Sequence, residues 1–167
     1  EVQGLRVGLL ICEDAWHAGP ARDCAAAGAQ MLAVINASPF HRGKGAEREA
    51  TMRARVQETG LPLVYAHLVG GQDEVVFEGR SFALGADGTV CARAPAFEEK
   101  LVFAQVDTAQ EAIKIIANMA PEQSPEAELW DALVLGVRDY VRKNGFPGVL
   151  LGLSGGIDSA LVLAIAV

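Results

Sequence analysis

Two segments of this chain carry residues suited to catalysis or ligand binding. In the first, Ile11 to Trp16, a thiol at Cys12 follows an apolar run; the second, Gly152 to Ser159, is rich in glycine and hydroxyl groups. A thiol can act as a nucleophile while a neighbouring backbone N–H stabilises an oxyanion. Glycines and hydroxyls before a helix can hold phosphate groups. The sequence therefore predicts two separate chemical sites.

The residues around Cys12 leave two interpretations open. A predicted buried strand, Leu5 to Ile11, ends directly before the thiol, which is where an α/β scaffold exposes a nucleophile at the edge of its sheet. A buried structural cysteine is equally common at such a place. A free thiol with a pKa of about 8.5 is also a poor nucleophile at neutral pH.

A polar loop, Asn36 to Gly45, follows the second predicted strand on the same edge of the sheet. The Ser38 hydroxyl and the Lys44 ammonium suit the carboxylate of an amino acid. Composition alone favours a solvated turn. His67, on an apolar strand, is expected to be a buried histidine of the core or rim.

The second site has the order strand, glycine-rich turn and helix. The strand is predicted at Val149 to Leu153, and the helix begins at Ile157. The loop is not a Walker A motif, because no lysine precedes the final serine. A membrane helix is not expected here either, because Asp158 would cost about 2.5–3.5 kcal/mol at the bilayer centre.

Alternating strands and helices predict an α/β fold. Further strands are expected at Met31 to Ile35 and Leu61 to Leu68, and helices at Pro20 to Ala27, Ala46 to Thr59 and Ser124 to Gly145. Short strands at Arg80 to Leu84, Thr89 to Arg93 and Leu101 to Val106 should finish the sheet antiparallel. Some helix is expected around Ile113 to Ile116, and a surface ion pair between Glu49 and Arg53.

Charge and cysteine content exclude several classes of function. The net charge is −7, from 14 basic and 21 acidic residues. Nucleic-acid binding needs a basic face, which this composition does not provide. Three scattered cysteines are too few for a disulfide framework or a zinc site, so a reducing, cytoplasmic setting is expected.

Residues 5–107 resemble the C-terminal half of the nitrilase superfamily. The resemblance is carried by Leu10 to Asp14 and by Val69 to Glu74, with Phe77, Gly79, Arg80 and Ser81. It implies α-β-β-α layers, Cys12 as nucleophile of a Glu-Lys-Cys triad, and glutamine binding by Ser38 and Lys44. In the family the Glu and Lys precede the Cys. Only eleven residues precede Cys12, and neither partner is assigned here.

The second segment is similar to the pyrophosphate loop of the N-type ATP pyrophosphatases. This resemblance implies the start of a Rossmann-like adenine nucleotide alpha hydrolase domain, with Mg²⁺ held by Asp158. It also implies six ATP-binding residues: Ser154, Gly155, Gly156, Ile157, Asp158 and Ser159.

Together the two halves resemble the glutamine-dependent NAD synthetases over nearly the whole chain. The implied division is a glutaminase portion at 1–107, a connector at 108–123 and the start of a synthetase domain at 124–167. The implied substrates are glutamine, ATP and deamido-NAD, with Mg²⁺ as cofactor and no nucleic-acid or membrane partner. A homo-oligomer is also expected.

Three alternatives stay open at this point. A stand-alone carbon-nitrogen hydrolase explains Cys12 and Ser38 but leaves the Ser154 to Ser159 loop unused. An asparagine or GMP synthetase explains that loop, but those families carry unrelated glutaminase halves. A non-catalytic interaction module fits the isolated polypeptide, because both predicted sites are incomplete.

Overall fold

The computed structural model describes residues 1–108 and 113–167. The strands are β1 (Val7–Ile11), β2 (Met31–Asn36), β3 (Leu63–His67), β4 (Val69–Gln72), β5 (Val75–Glu78), β6 (Phe82–Leu84), β7 (Val90–Arg93), β8 (Gln105–Asp107) and β9 (Lys114–Ile116). The helices are a 3₁₀ helix at Cys12–Trp16, α1 (Ala18–Ala26), α2 (Lys44–Thr59), α3 (Pro125–Lys143) and α4 (Ile157–Ala166).

The main sheet of the described residues has the strand order β1-β2-β3-β6-β7. Strands β1, β2 and β3 are parallel, whereas β6 and β7 add antiparallel to β3. This confirms the three parallel strands and the antiparallel strands predicted at Arg80 to Leu84 and Thr89 to Arg93. The strand predicted at Leu101 to Val106 is wrong in part, because residues 101–104 form no strand and β8 pairs with β9 instead of the main sheet. Because β1 to β3 are parallel, their carboxyl ends meet at one edge of the sheet.

Helices α1 and α2 cover one face of the sheet. Their apolar side chains form a core with the strands, and its fully buried members include Leu10, Leu32, Leu63, Met52 and Val56. Helix α1 approaches β1 closely at Gly8, where a Cβ atom would lie 2.7 Å from the Cβ of Cys24. Glycine at this position therefore sets the distance between helix and strand.

The opposite face of the sheet is only partly covered. The antiparallel strands β8 and β9 lie at one side, where Ile115 packs against Ala83 and Ala92. At the other side Leu9 and Ile11 of β1 are 69% and 65% exposed, and Ile35 of β2 is 63% exposed. One face of the main sheet therefore packs against α1 and α2 in a core, and much of the other face is an exposed apolar surface.

Helix α3 packs against the β4–β5 hairpin. It begins as predicted, with the Ser124 hydroxyl accepting a hydrogen bond from the Ala127 N–H at 3.2 Å. A Cβ on Gly71 of β4 would lie 3.2 Å from the Cα of Gly136, so two glycines let the backbones approach. The Gly71 N–H also donates to the Asp139 carboxylate at 2.8 Å.

Two predicted elements are wrong. Val149 to Leu153 is not a strand: no other described strand pairs with it, and its residues are exposed. The segment Ile113 to Ile116 is not helical, because Lys114–Ile116 pairs antiparallel with β8. Isoleucines favour a pleated strand, and a pairing partner was within reach.

The local details also differ from the sequence predictions. Glu49 pairs with Arg93 of β7 at 2.9 Å, while Arg53 donates to the Gly88 carbonyl, so the predicted Glu49–Arg53 pair is wrong. Both side chains interact with residues distant in the sequence instead of with each other on α2. The β4–β5 hairpin was not predicted. Among the described residues, no helix has both the length and the apolarity that a membrane crossing requires.

Candidate functional site

Cys12 lies at the carboxyl edge of the parallel strands. It directly follows the β1–β2 pair Ile11–Ile35, and the next pair along β2 and β3 is Asn36 with His67. The three residues therefore sit side by side at the strand ends. Cys12 is half-buried and has a φ of +48°, a backbone conformation that costs a non-glycine residue energy and that clusters at functional sites.

Lys44 contacts the turn that carries Cys12. Its Nζ lies 4.3 Å from the centroid of the Trp16 ring, a cation–π contact. The same ammonium pairs with Glu47 at 2.9 Å. Lys44 is the first residue of α2 rather than part of the irregular segment predicted from the sequence. The end of the polar loop is thus fixed against the Cys12 turn.

Ser38 is held by side chains from three elements. Its hydroxyl accepts hydrogen bonds from Asn36 Nδ2 at 3.0 Å and from Arg48 Nε at 2.9 Å. Its carbonyl accepts from Arg48 Nη2 and from His67 Nε2, both at 3.0 Å. Ser38 itself is half-buried and reaches the surface of the site. It is a rigidly placed residue rather than part of a solvated turn.

A buried ion pair stands behind Ser38. Arg48 on α2 is 2% exposed and pairs with Glu78, at the end of β5, which is 3% exposed. The Phe40 N–H donates to the Val76 carbonyl of β5 at 2.7 Å. The β4–β5 hairpin therefore supports the polar loop both through its backbone and through this pair.

The sequence analysis missed Asn36, Arg48 and Glu78. One signal was available for Arg48, which lies four and eight residues before Met52 and Val56 on the apolar face of α2. A charged side chain on such a face is buried only when it is paired and hydrogen-bonded. Nothing in the sequence pattern pointed to Glu78 as the partner.

The aromatic residues beside the loop are uncharged. Burial, and after it the nearby Arg48 charge, lower the pKa of His67 to about 4. Burial raises the pKa of the Tyr65 phenol to about 12. His67 is buried, as expected, and because a carbonyl can only accept, its Nε2 carries the proton.

The glycine-rich loop forms a second and separate site. Gly156 is the N-cap of α4, and Gly155 has a φ of +84°. Ser154 Oγ lies 3.1 Å from Ser159 Oγ, which donates to the Gly156 carbonyl at 3.0 Å. Asp158 is in the first turn of the helix. No hydrogen bond or ion pair found within 1–108 and 113–167 joins this loop to the Cys12 site.

A model of the carbon-nitrogen hydrolase family matches residues 1–114, more than half of the chain. The chain belongs to the carbon-nitrogen hydrolase family. A second model, of the NAD synthase family, matches residues 129–167. The chain therefore continues, at α3 and α4, into sequence similar to a second family.

Several known proteins match this chain over nearly its whole length. A glutamine-dependent NAD(+) synthetase of Rhodobacter capsulatus is 50% identical over 163 residues, which cover 96% of this chain and 29% of that protein. The structure of a glutamine-dependent NAD+ synthetase from Acinetobacter baumannii in complex with ADP matches with a TM-score of 0.91 and 41% identity, over 99% of this chain and 31% of that one. The chain spans about a third of the length of these relatives.

An amidase is similar to part of the chain. A mutant amidase from Nesterenkonia sp. AN1, in which acrylamide has added to the active-site cysteine, matches with a TM-score of 0.52 and 28% identity. The match covers 57% of this chain and 37% of the amidase.

Proposed function

We propose that this chain is the part of a glutamine-dependent NAD synthetase that joins its amide-hydrolysing portion to its ATP-using portion. The observation that carries the proposal is the succession, in one polypeptide, of a carbon-nitrogen hydrolase match at 1–114 and an NAD synthase match at 129–167. A stand-alone amidase explains only the first match. The proposed division is 1–107, a connector at 108–123, and 124–167.

In the first half-reaction, Cys12 is the nucleophile. Its sulfur forms a bond to the side-chain amide carbon of glutamine, ammonia leaves, and water then hydrolyses the thioester to glutamate. The position of Cys12 at the strand ends and its φ of +48° support this role. The amidase of Nesterenkonia, whose active-site cysteine adds to acrylamide, supports it by analogy.

Ser38 and Lys44 are proposed to bind the amino-acid end of glutamine. Ser38 is fixed by Asn36 and Arg48, and the Lys44 ammonium lies over Trp16 in the Cys12 turn. A hydroxyl and an ammonium on the rim that carries the nucleophile suit a carboxylate. The residues thus orient the amide carbon towards the thiol.

In the second half-reaction, ATP adenylates the carboxylate of deamido-NAD and pyrophosphate leaves. Ammonia then displaces AMP from the adenylate, giving NAD. The hydroxyls of Ser154 and Ser159 and the backbone at Gly155 and Gly156 are proposed to hold the phosphates at the start of α4. The ADP complex of the Acinetobacter baumannii relative supports nucleotide binding.

The residues present also fit Mg²⁺. Magnesium in ATP-using enzymes is commonly held by one or two carboxylates together with substrate phosphates. Asp158 offers one carboxylate, in the first turn of α4, and the described residues contain no cluster of three or more acidic, histidine or cysteine ligands. Bound there, the ion would neutralise phosphate charge. A cytoplasmic location and a homo-oligomeric state stay predictions from the sequence.

Labelling tests the first site. We expect a glutamine-analogue electrophile to modify the full-length enzyme at Cys12, and Cys12→Ala to abolish both the label and glutamine-supported NAD formation. Ammonia-supported formation should continue. Cys91→Ala is the matched control, because Cys91 is also half-buried but lies on β7 and hydrogen-bonds the Ala83 carbonyl. Labelling that persists without Cys12 contradicts the assignment.

Pyrophosphate release tests the second site. Asp158→Ala should abolish release of pyrophosphate from ATP while glutamine hydrolysis stays measurable. Retained NAD synthesis by this variant contradicts the role given to Asp158. If the full-length protein consumes no ATP when given glutamine and deamido-NAD, the proposed function is wrong as a whole.

A further inference from the structure

The Ser38 hydroxyl has only its proton left to offer a ligand. A hydroxyl has one O–H donor and two acceptor lone pairs. Asn36 Nδ2 and Arg48 Nε already donate to this oxygen, at 3.0 and 2.9 Å. Both lone pairs are therefore used, so the hydroxyl hydrogen points towards an acceptor. Two acceptors compete for it: the neighbouring buried Tyr65 phenol, and the carboxylate of a ligand, which as a charged group accepts the stronger hydrogen bond.

Arg48 is fixed so that it keeps donating. Its guanidinium pairs with buried Glu78 and donates further to the carbonyls of Ser38 and Pro39, at 3.0 and 3.2 Å. Both members of the ion pair are almost fully buried, so neither is free to turn to water. A guanidinium group has no hydrogen-bond acceptor, so towards Arg48 the Ser38 hydroxyl can only accept.

Asn36 completes this arrangement. It is 3% exposed at the end of β2, and its amide nitrogen faces Ser38. Asn36 follows Ile35, the partner of Ile11, so it lies at the same edge of the sheet as Cys12. The network ends at the half-buried Ser38 hydroxyl.

We propose that Arg48 and Asn36, with Glu78 behind Arg48, are positioning residues that fix Ser38 as a hydrogen-bond donor to the carboxylate of glutamine. The inference rests on the proposed function, which makes Ser38 a glutamine-binding residue. It adds three residues and a direction: the Ser38 proton goes to the ligand because both lone pairs of its oxygen are occupied and a carboxylate accepts more strongly than the Tyr65 phenol.

The test is a double-mutant cycle in the full-length enzyme, supplied with ATP and deamido-NAD. Arg48→Lys keeps a cation for Glu78 but loses the fork that reaches Ser38. A hydrogen bond to a charged group contributes about 1.5–3 kcal/mol, so we expect Arg48→Lys to raise the KM for glutamine roughly 10- to 100-fold. In a Ser38→Ala background, Arg48→Lys should add no further increase.

Asn36→Asp provides a second variant that leaves the Arg48–Glu78 pair intact. Its carboxylate accepts the Ser38 proton and withdraws it from the ligand, so the KM for glutamine should again rise about 10-fold or more. The ammonia-supported rate of NAD formation should stay unchanged in both variants, which shows that the enzyme is folded. Arg53→Lys, also on α2 but bonded to the Gly88 carbonyl, is the matched control with an unchanged KM.

The outcomes separate this inference from the function it rests on. If Ser38→Ala raises the KM but Arg48→Lys and Asn36→Asp do not, or if Arg48→Lys keeps its full effect in the Ser38→Ala background, the positioning role is overturned and the glutaminase function stands. If Ser38→Ala leaves the KM unchanged, both the glutamine contact and this inference are wrong. Absence of glutamine-supported synthesis in the unsubstituted enzyme contradicts the proposed function itself.

Discussion

The two candidate sites are built in different ways. Ser38 is fixed by donors from β2, α2 and β3, and a buried ion pair supports it from β5. The Ser154 to Ser159 loop is held by hydrogen bonds among its own residues, and a Cβ on Gly152 or Gly155 would meet no atom within 4 Å. Among the described residues, contacts from other elements position the first site, whereas the contacts of the second are local.

This difference shows where each site gets its precision. At the Ser38 site, residues far apart in sequence determine one hydroxyl, so changes behind the site should reach it. At the loop, the contacts among the described residues are those of the N-terminus of α4, so a side-chain change there should alter ligand contacts more than the fold of residues 1–108.

Removing the cation from the buried pair should have the largest effect on stability. Arg48→Met leaves Glu78 as an uncompensated buried charge, which costs about 3–5 kcal/mol. Urea unfolding measures the loss. Lys100→Met is the control, since Lys100 pairs with Glu98 at 3.1 Å on an exposed surface, where a pair contributes about 0–1 kcal/mol. Equal losses in the two variants would contradict a buried, structural role for the Arg48 pair.

The substitution Gly8→Ala should have the second-largest effect on the free energy of unfolding. Ala at this position forces α1 away from β1, because its Cβ would lie 2.7 Å from that of Cys24. Overpacking of this kind costs about 1–3 kcal/mol of unfolding free energy. Gly19→Ala in the exposed first turn of α1 meets no atom within 4 Å and should be neutral or stabilising. A neutral Gly8→Ala would show that α1 is free to shift.

Acidification should weaken the fold through His67. Its pKa is about 4 in the folded chain and about 6.5 when unfolded, so between these values the unfolded state binds the proton first. Stability is complete above pH 6.5 and falls towards pH 4, by at most about 1.4 kcal/mol per pH unit. Thermal melts of the native chain and of His67→Gln should diverge in this window. Parallel profiles would mean that His67 is not held neutral.

Asp158 should show the smallest effect on stability. It is exposed in the first turn of α4, where its charge interacts with the helix dipole by about 0.3–1 kcal/mol. Asp158→Asn should therefore unfold nearly as the native protein does while NAD synthesis is lost. A large drop in stability would place Asp158 among structural contacts, and the contrast between the two sites would disappear.

The sequence predicted the first portion well because its signals are local. The parallel strands are continuous apolar runs, and α2 and α3 carry clear start or stop residues at Gly60 and Ser124. The strand at Val149 to Leu153 was wrong because apolar composition supplies no pairing partner. The Arg48–Glu78 pair joins residues 30 positions apart, and no periodic pattern encodes such a separation.

The close contact of Gly71 with Gly136 has a mechanical consequence. Helix α3 begins the sequence similar to NAD synthases, and it is in backbone contact with the hairpin that ends at Glu78. Two facing glycines leave no compressible side chain between the two elements, so we expect a rotation of α3 to displace the hairpin instead of being absorbed. A displacement of the β4–β5 hairpin would in turn move the Glu78 carboxylate, which pairs with Arg48.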